Sequence, residues 1–221
     1  KDITIDKLGP RLRLKESLNR ILEEPLPVEY HTDSLESKLF GLGSESYVTG
    51  SHEFYTNYCM ETKRAIVCMD AGHFHPTESV AAKISSYLAF GQELMLHVSR
   101  PVRWDSDHVV ILDDETMAIM EEVARSDAFD RVHIGLDFFD GSIRRDIATA
   151  IGGRAAKTAL LKALLQPVEK LKQLELEGDF TGRLAILEEI KTLPYGLVWE
   201  MYCEQQSCPA SWAGWDKNIK G

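Results

Sequence analysis

Ala65-Ile66-Val67-Cys68-Met69-Asp70-Ala71-Gly72-His73-Phe74-His75-Pro76-Thr77-Glu78 decides the architecture of this chain. An unbroken apolar run leads into one aspartate, as in a strand buried on both faces with a polar side chain at its carboxyl end. Pro76-Thr77-Glu78 then reads as a helix start with Thr77 as N-cap. Val80, Ile84, Tyr87 and Leu88 keep a helical period up to Gly91. A buried strand followed at once by a helix is one βα unit of a parallel sheet.

The same grammar extends outward. Val28 to His31 reads as extended, and Ser34-Leu35-Glu36-Ser37-Lys38 follows it. Leu94-Met95-Leu96 ends at His97, and Val132 to Leu136 ends at Asp137. Val109-Val110-Ile111-Leu112 reads as a further extended segment, after which Asp114 is expected to cap a helix carrying Met117, Met120 and Val123. Ala155 to Glu177 has helical spacing, with a kink expected at Pro167 and a stop at Gly178. Thr181 is expected to cap a last stretch, Leu184 to Leu193, closed by Pro194. Gly152-Gly153 reads as a turn, and the aromatic tail of Trp199, Tyr202, Trp212 and Trp215 as packing or a subunit interface. The fold class is α/β, with parallel units closed as a barrel or laid out as an open doubly wound sheet.

Composition narrows the partners. The 221 residues hold 25 Lys and Arg against 35 Asp and Glu, a net charge of −10 that repels phosphate backbones and excludes nucleic acid as the expected partner. No apolar run approaches the ~20 residues that span a bilayer, so no membrane is expected either. Lys1 opens a charged segment without a signal-peptide core or an initiator Met, so residue 1 is not expected to be the native start. The four cysteines lack zinc-ribbon spacing and read as packed or free thiols of a cytoplasmic protein.

The strand ends carry the chemistry. Asp70, His97 and Asp137 each close an apolar run, and Glu36 follows the first, least distinct one. In parallel α/β folds the carboxyl ends of neighbouring strands face one shared site. Any one of these residues alone is an ordinary turn or capping residue. Four in register form a mixed carboxylate and imidazole set suited to a divalent ion such as Mn²⁺ or Zn²⁺. His73, with Asp105 and Asp107 from the Asp-x-Asp loop, forms a second set beside it, and two adjacent ions can polarise a carbonyl. Lys38, next to Glu36, is a surface residue by type, yet beside a bound cation its pKa would fall and allow proton transfer. His73-Phe74-His75 also looks like the metal-dependent amidohydrolases, whose pair lies on the first barrel strand with more ligand-bearing strands after it.

Longer strings carry a more specific likeness. Glu36-Ser37-Lys38-Leu39-Phe40-Gly41, the stretch from Asp70 to Glu78, His97-Val98-Ser99-Arg100-Pro101-Val102-Arg103-Trp104-Asp105-Ser106-Asp107-His108, and Ile134-Gly135-Leu136-Asp137-Phe138-Phe139-Asp140 resemble the L-rhamnose isomerase family. The likeness spans nearly the whole chain and fits the carboxyl-terminal half of that enzyme. It implies a (β/α)₈ TIM barrel. Residues 1–150 would form the carboxyl-terminal half of the barrel with the metal ligands. Residues 151–221 would form a helical extension packing on the barrel or on a subunit interface.

It further implies a homotetramer interconverting L-rhamnose and L-rhamnulose with two ions per site, Mn²⁺ or else Zn²⁺ or Co²⁺. By that likeness Glu36, Asp70, His97 and Asp137 hold a structural ion and His73, Asp105 and Asp107 a catalytic one, with Lys38 near the reacting oxygens. The expected chemistry is a hydride shift between C1 and C2, with Asp105, Asp107 or Lys38 orienting the water that moves the oxygen proton. The rival enediol route needs a well-placed base, for which this chain offers no clear candidate. Lys1 would fall in a βα connection and Gly221 at or near the carboxyl end. The amino-terminal half of the barrel would be required for turnover. The other class of outcome is a truncated half barrel that binds metal without turning over sugar.

Overall fold

The computed structural model describes residues 4–24, 26–38, 47–75, 77–101, 107–211 and 214. Asp105, Trp212 and Trp215 therefore lie outside the described residues, as do 39–41 and 102–106 of the strings above and Pro76. The chain divides into two compact units, one of Lys1–Val110 with Ala128–Asp140 and one of Ile111–Asp127 with Gly141–Gly221.

In the first unit, helix α1 (Leu8–Ile21) precedes β1 (Ser34–Glu36), α2 (His52–Thr62), β2 (Ile66–Asp70), a 3₁₀ turn at Ala71–His73, α3 (Ala81–Leu88), β3 (Leu94–Val98), β4 (Arg100–Pro101) and β5 (Asp107–His108). After the helix α4 (Asp114–Arg125) of the second unit, β6 (Val132–Leu136) completes the sheet. The order is β1-β2-β3-β6 and every pairing is parallel, so the chain is α/β with the parallel sheet that the sequence calls for. Such a sheet is compatible with part of a barrel. Among the described residues β1 pairs only with β2, and β6 only with β3.

Burial explains the apolar runs. Val67, Cys68, Met69 and Asp70 are all buried, because side chains on both faces of β2 are covered. On β3 the pattern alternates: Leu94, Leu96 and Val98 are buried, while Met95 and His97 face the other side. Residues paired across strands point the same way, so register stacks Glu36, Cys68 and Met95 in one row and Asp70, His97 and Gly135 in the next.

The second unit is helical. α4 packs on α5 (Arg145–Leu164), α6 (Val168–Leu176) on α7 (Phe180–Ile190), and α8 (Tyr195–Gln205) on α5. Gly178, at φ +75°, ends α6 as expected, since the left-handed region costs glycine nothing. No helix among the described residues is long and apolar enough to cross a membrane.

Several local expectations are corrected. Val28 to Tyr30 is a turn, and the strand is Ser34–Glu36 itself, with Glu36 as its last residue. Val109 to Leu112 is not a strand: the extended chain ends at His108, Val109 and Val110 are buried, and Ile111 and Leu112 are exposed. Thr77 does not cap α3, because its hydroxyl is engaged by His75 Nδ1 at 2.7 Å and the helix begins at Ala81. Asp113, accepting from the Thr116 amide, caps α4 instead of Asp114. Asp179, accepting from Gly182, caps α7 instead of Thr181. Pro167 breaks the chain into α5 and α6 rather than kinking one helix, since it has no amide to donate to the ladder. Gly152 and Gly153 lie inside α5, where the alanine-rich neighbours keep the helix despite a cost of about 1 kcal/mol per glycine.

Candidate metal centre

Glu36, Asp70, His97 and Asp137 stand at or just past the ends of β1, β2, β3 and β6, and one donor atom from each lies within 4.8 Å of the others. Glu36 Oε2 is 2.7 Å, Asp137 Oδ2 3.2 Å and Asp70 Oδ2 3.8 Å from His97 Nδ1. These contacts are short, yet none has the direction of a hydrogen bond to Nδ1. The donor atoms converge on one point instead of pairing off. Asp137 is the most open of the four, and Asp70 is fully buried.

Asp70 shows why. Its Oδ1 accepts from the Gly72 amide at 2.6 Å and from Ser99 Oγ at 3.3 Å, while its Oδ2 is buried and accepts no hydrogen bond among the described residues. A buried carboxylate oxygen left bare in this way costs several kcal/mol on the order of a desolvated charge unless a cation meets it. The orphaned oxygen, together with a hard oxygen and imidazole donor set, fits a divalent ion of the Mn²⁺ or Zn²⁺ kind.

Asp70, His73 and Asp107 form a second group whose donor atoms also lie within 4.8 Å of one another. His73 is buried, and its Nδ1 donates to the Ser37 carbonyl at 2.8 Å, with Glu36 Oε1 3.1 Å away. That bond fixes the tautomer, with Nε2 as the unprotonated acceptor nitrogen of the ring. Lys38 Nζ donates to this Nε2 at 2.8 Å, so the side chain read as a proton carrier touches the second group directly. Asp70 thus belongs to both sets. Asp105 is outside the described residues, and His75 is exposed and bonded to Thr77 rather than to either group.

The charges answer one another. The Cys68 thiol and the Glu36 carboxylate hold the His97 imidazolium up to about 11. Burial pushes Asp70 up, aided by the charges of Asp107 and Glu36 and opposed by His73 and the Gly72 amide. Burial also pushes Glu36 up, but His97, His73 and Lys38 outweigh it and hold this carboxyl below its usual range. A cation can replace the proton held among these carboxylates, since His binds metal only when that nitrogen is bare.

Three residues of the site carry no sequence expectation. Ser99 buttresses Asp70, and Gly72 keeps the 3₁₀ turn close, since a Cβ there would stand 2.7 Å from Asp107 Oδ1. Gly135 leaves room beside His97, where a Cβ would meet the Met95 methyl at 2.6 Å. Each lies two residues from a ligand, or directly between two, and the period-two rule of strands points to Ser99 and Gly135 from His97 and Asp137.

A family model described as L-rhamnose isomerase (RhaA) matches residues 1–221. The chain belongs to the L-rhamnose isomerase family. It is 56% identical over 220 residues to the L-rhamnose isomerase of Escherichia coli O1:K1, covering 100% of this chain and 52% of that protein. It is 58% identical over 210 residues to that of Salmonella newport, covering 95% of this chain and 50% of the relative, and 56% identical to that of Enterobacter sp.. The chain spans about half the length of these curated relatives. Membership of the L-rhamnose isomerase family over the full length sets aside the amidohydrolase reading of His73-Phe74-His75.

Proposed function

We propose that this chain supplies the ion-binding half of an aldose–ketose isomerase that interconverts L-rhamnose and L-rhamnulose. The observation that carries the reading is the pair of donor groups sharing Asp70, with a buried Asp70 oxygen that accepts no hydrogen bond among the described residues, in a chain of this family. Glu36, Asp70, His97 and Asp137 would hold one ion and His73, Asp107 and Asp105 the other, Mn²⁺ or else Zn²⁺ or Co²⁺. Divalent ions held there would supply positive charge that polarises the sugar's carbonyl and hydroxyl oxygens.

The protein side chains do the rest. Asp107 and Lys38 hold and pass the proton that moves between the two sugar oxygens, Lys38 from its Nζ beside His73. His73 is kept oriented by the Ser37 carbonyl, and Asp70 by Gly72 and Ser99. His73, His97 and Glu36 of the centre are themselves members of the donor groups. The favoured route therefore moves the C-bound hydrogen as hydride from one carbon to the other.

The four-stranded sheet is proposed to be the carboxyl-terminal half of a (β/α)₈ barrel, residues 1–150 contributing its strands and 151–221 a helical extension. The edges of β1 and β6, unpaired among the described residues, are where the amino-terminal half would join. Assembly as a homotetramer in the cytoplasm completes the proposal. A second reading, ion binding without turnover, is favoured by the same edges, since half a barrel holds only part of a sugar pocket.

One assay separates them: L-rhamnose and Mn²⁺ in tritiated water, with this chain alone and with the chain joined to an amino-terminal half. Ketose formation by the joined protein alone, with little tritium on carbon, is expected. Turnover by the single chain contradicts the need for the other half, and near-stoichiometric tritium at C1 or C2 contradicts the hydride route.

A further inference from the structure

Helix α8 ends in a turn that brings two thiols together, far along the chain from every residue of the metal centre. Ser207 adopts a left-handed φ of 53°, and the Cys208 amide donates to the Cys203 carbonyl at 2.9 Å. This is the 6→1 bond of a Schellman turn, in which the end residues touch side by side, usually through an apolar contact. Here both ends are cysteines, and the Cys208 thiol acts on that of Cys203 electrostatically. A 6→1 turn brings its end residues into contact, and a disulfide joins residues whose Cα atoms lie about 4.4–6.8 Å apart. Cys203 is 2% exposed, whereas Cys208 is open to solvent, so a reachable sulfur adjoins a shielded one.

The surroundings favour an anionic visitor. Arg154 and Lys157 line a cavity of about 340 Å³ together with Cys203, Cys208, Trp199 and Tyr202. Burial raises the Cys203 thiol above its ordinary range, and these two cations act against that rise. The chain beyond Cys208 is also tied down: Trp199 Nε1 and Arg154 Nε both donate to the Ala210 carbonyl, at 3.2 and 3.3 Å. Cys208 is thereby kept over Cys203 rather than swinging into solvent.

We propose that Cys203 and Cys208 form a thiol–disulfide exchange site at the end of α8, oxidised by a small anionic disulfide of the glutathione type. Cys208, the reachable sulfur, gives its proton to solvent and attacks one sulfur of the external disulfide. One glutathione leaves as thiolate and takes up a proton. Cys203 then loses its proton and displaces the second glutathione from Cys208, which leaves the Cys203–Cys208 disulfide. Two protein thiols are oxidised and one external disulfide is reduced to two thiols. Cys59 and Cys68 take no part: both are buried, and burial pushes the Cys59 thiol up to about 12.

The test holds the full chain in glutathione buffers of rising oxidised fraction, quenches with acid, and counts thiols after denaturation. The count is expected to fall from four to two, with a mass loss of two hydrogens and a peptide map that joins Cys203 to Cys208. Cys203→Ser is expected to stop at one glutathione adduct on Cys208, and Cys208→Ser to keep its three remaining thiols. The wild-type readout needs no variant to fold. Four surviving thiols in the fully oxidised buffer, or a lasting single adduct in the wild-type chain, would overturn the proposal.

Discussion

Asp70 gives its two oxygens different surroundings: Gly72 and Ser99 donate to Oδ1, and no hydrogen bond from the described residues reaches Oδ2. Ser99→Ala removes one support without touching a donor atom, so divalent-ion affinity should fall about 10- to 100-fold while the fold is kept. Mn²⁺ titration by calorimetry, with circular dichroism as control, measures it, and unchanged affinity would contradict the buttressing role. A second residue, His52, backs the ligand loop from behind. Its ring meets Phe74, the neighbour of His73, edge-on at 5.2 Å, and its Nε2 is bonded to the Tyr87 hydroxyl at 2.7 Å. Burial, reinforced by Lys83 and opposed by Glu53 and Glu78, holds His52 below the usual imidazole range. The unfolded chain therefore binds a proton that the fold refuses. This contribution to stability is complete above pH ~6.5 and is lost as the pH falls below it toward the depressed value. Urea midpoints should drop between pH 7.5 and 5.5 by more in the wild type than in His52→Gln, and equal drops would refute the assignment.

At the scale of elements, the strands β2, β3 and β6 were legible and the helix N-caps were not. A strand buried on both faces leaves an unbroken apolar run, so β2 announces itself, and the polar residue that ends it marks the site. Cap identity depends on which side-chain oxygen reaches a free amide, and at Asp113 against Asp114 or Asp179 against Thr181 neighbouring residues offer equal chemistry. Val109 to Leu112 shows the limit of periodicity, since two of its four apolar residues pack while no strand among the described residues pairs with it. The central position of β3 gives a direct energetic expectation. Leu94 is wholly buried between β2 and β6, so Leu94→Ala should destabilise the chain by about 2–5 kcal/mol, read as a lower urea midpoint at unchanged slope. A change under ~1 kcal/mol would mean that the core face of this sheet has been misassigned.

For the whole molecule, the sequence foretold that carboxylates would outnumber cations, and the structure gives some of them work. Glu36, Asp70, Asp107 and Asp137 gather with His73 and His97 in one small volume, where imidazoles, Lys38 and the Gly72 amide offset their mutual repulsion. Ser99, Gly72 and Gly135 were not legible because their part is spatial: they acquire meaning only once register sets them beside the donor atoms. The central claim is that these residues form two adjacent cation sites sharing Asp70. Anomalous diffraction at the manganese edge, from crystals grown with Mn²⁺, tests it most directly. Two peaks are predicted, one among Glu36, Asp70, His97 and Asp137 and one at Asp70, His73 and Asp107. Peaks elsewhere, or none at Asp70, would contradict the account.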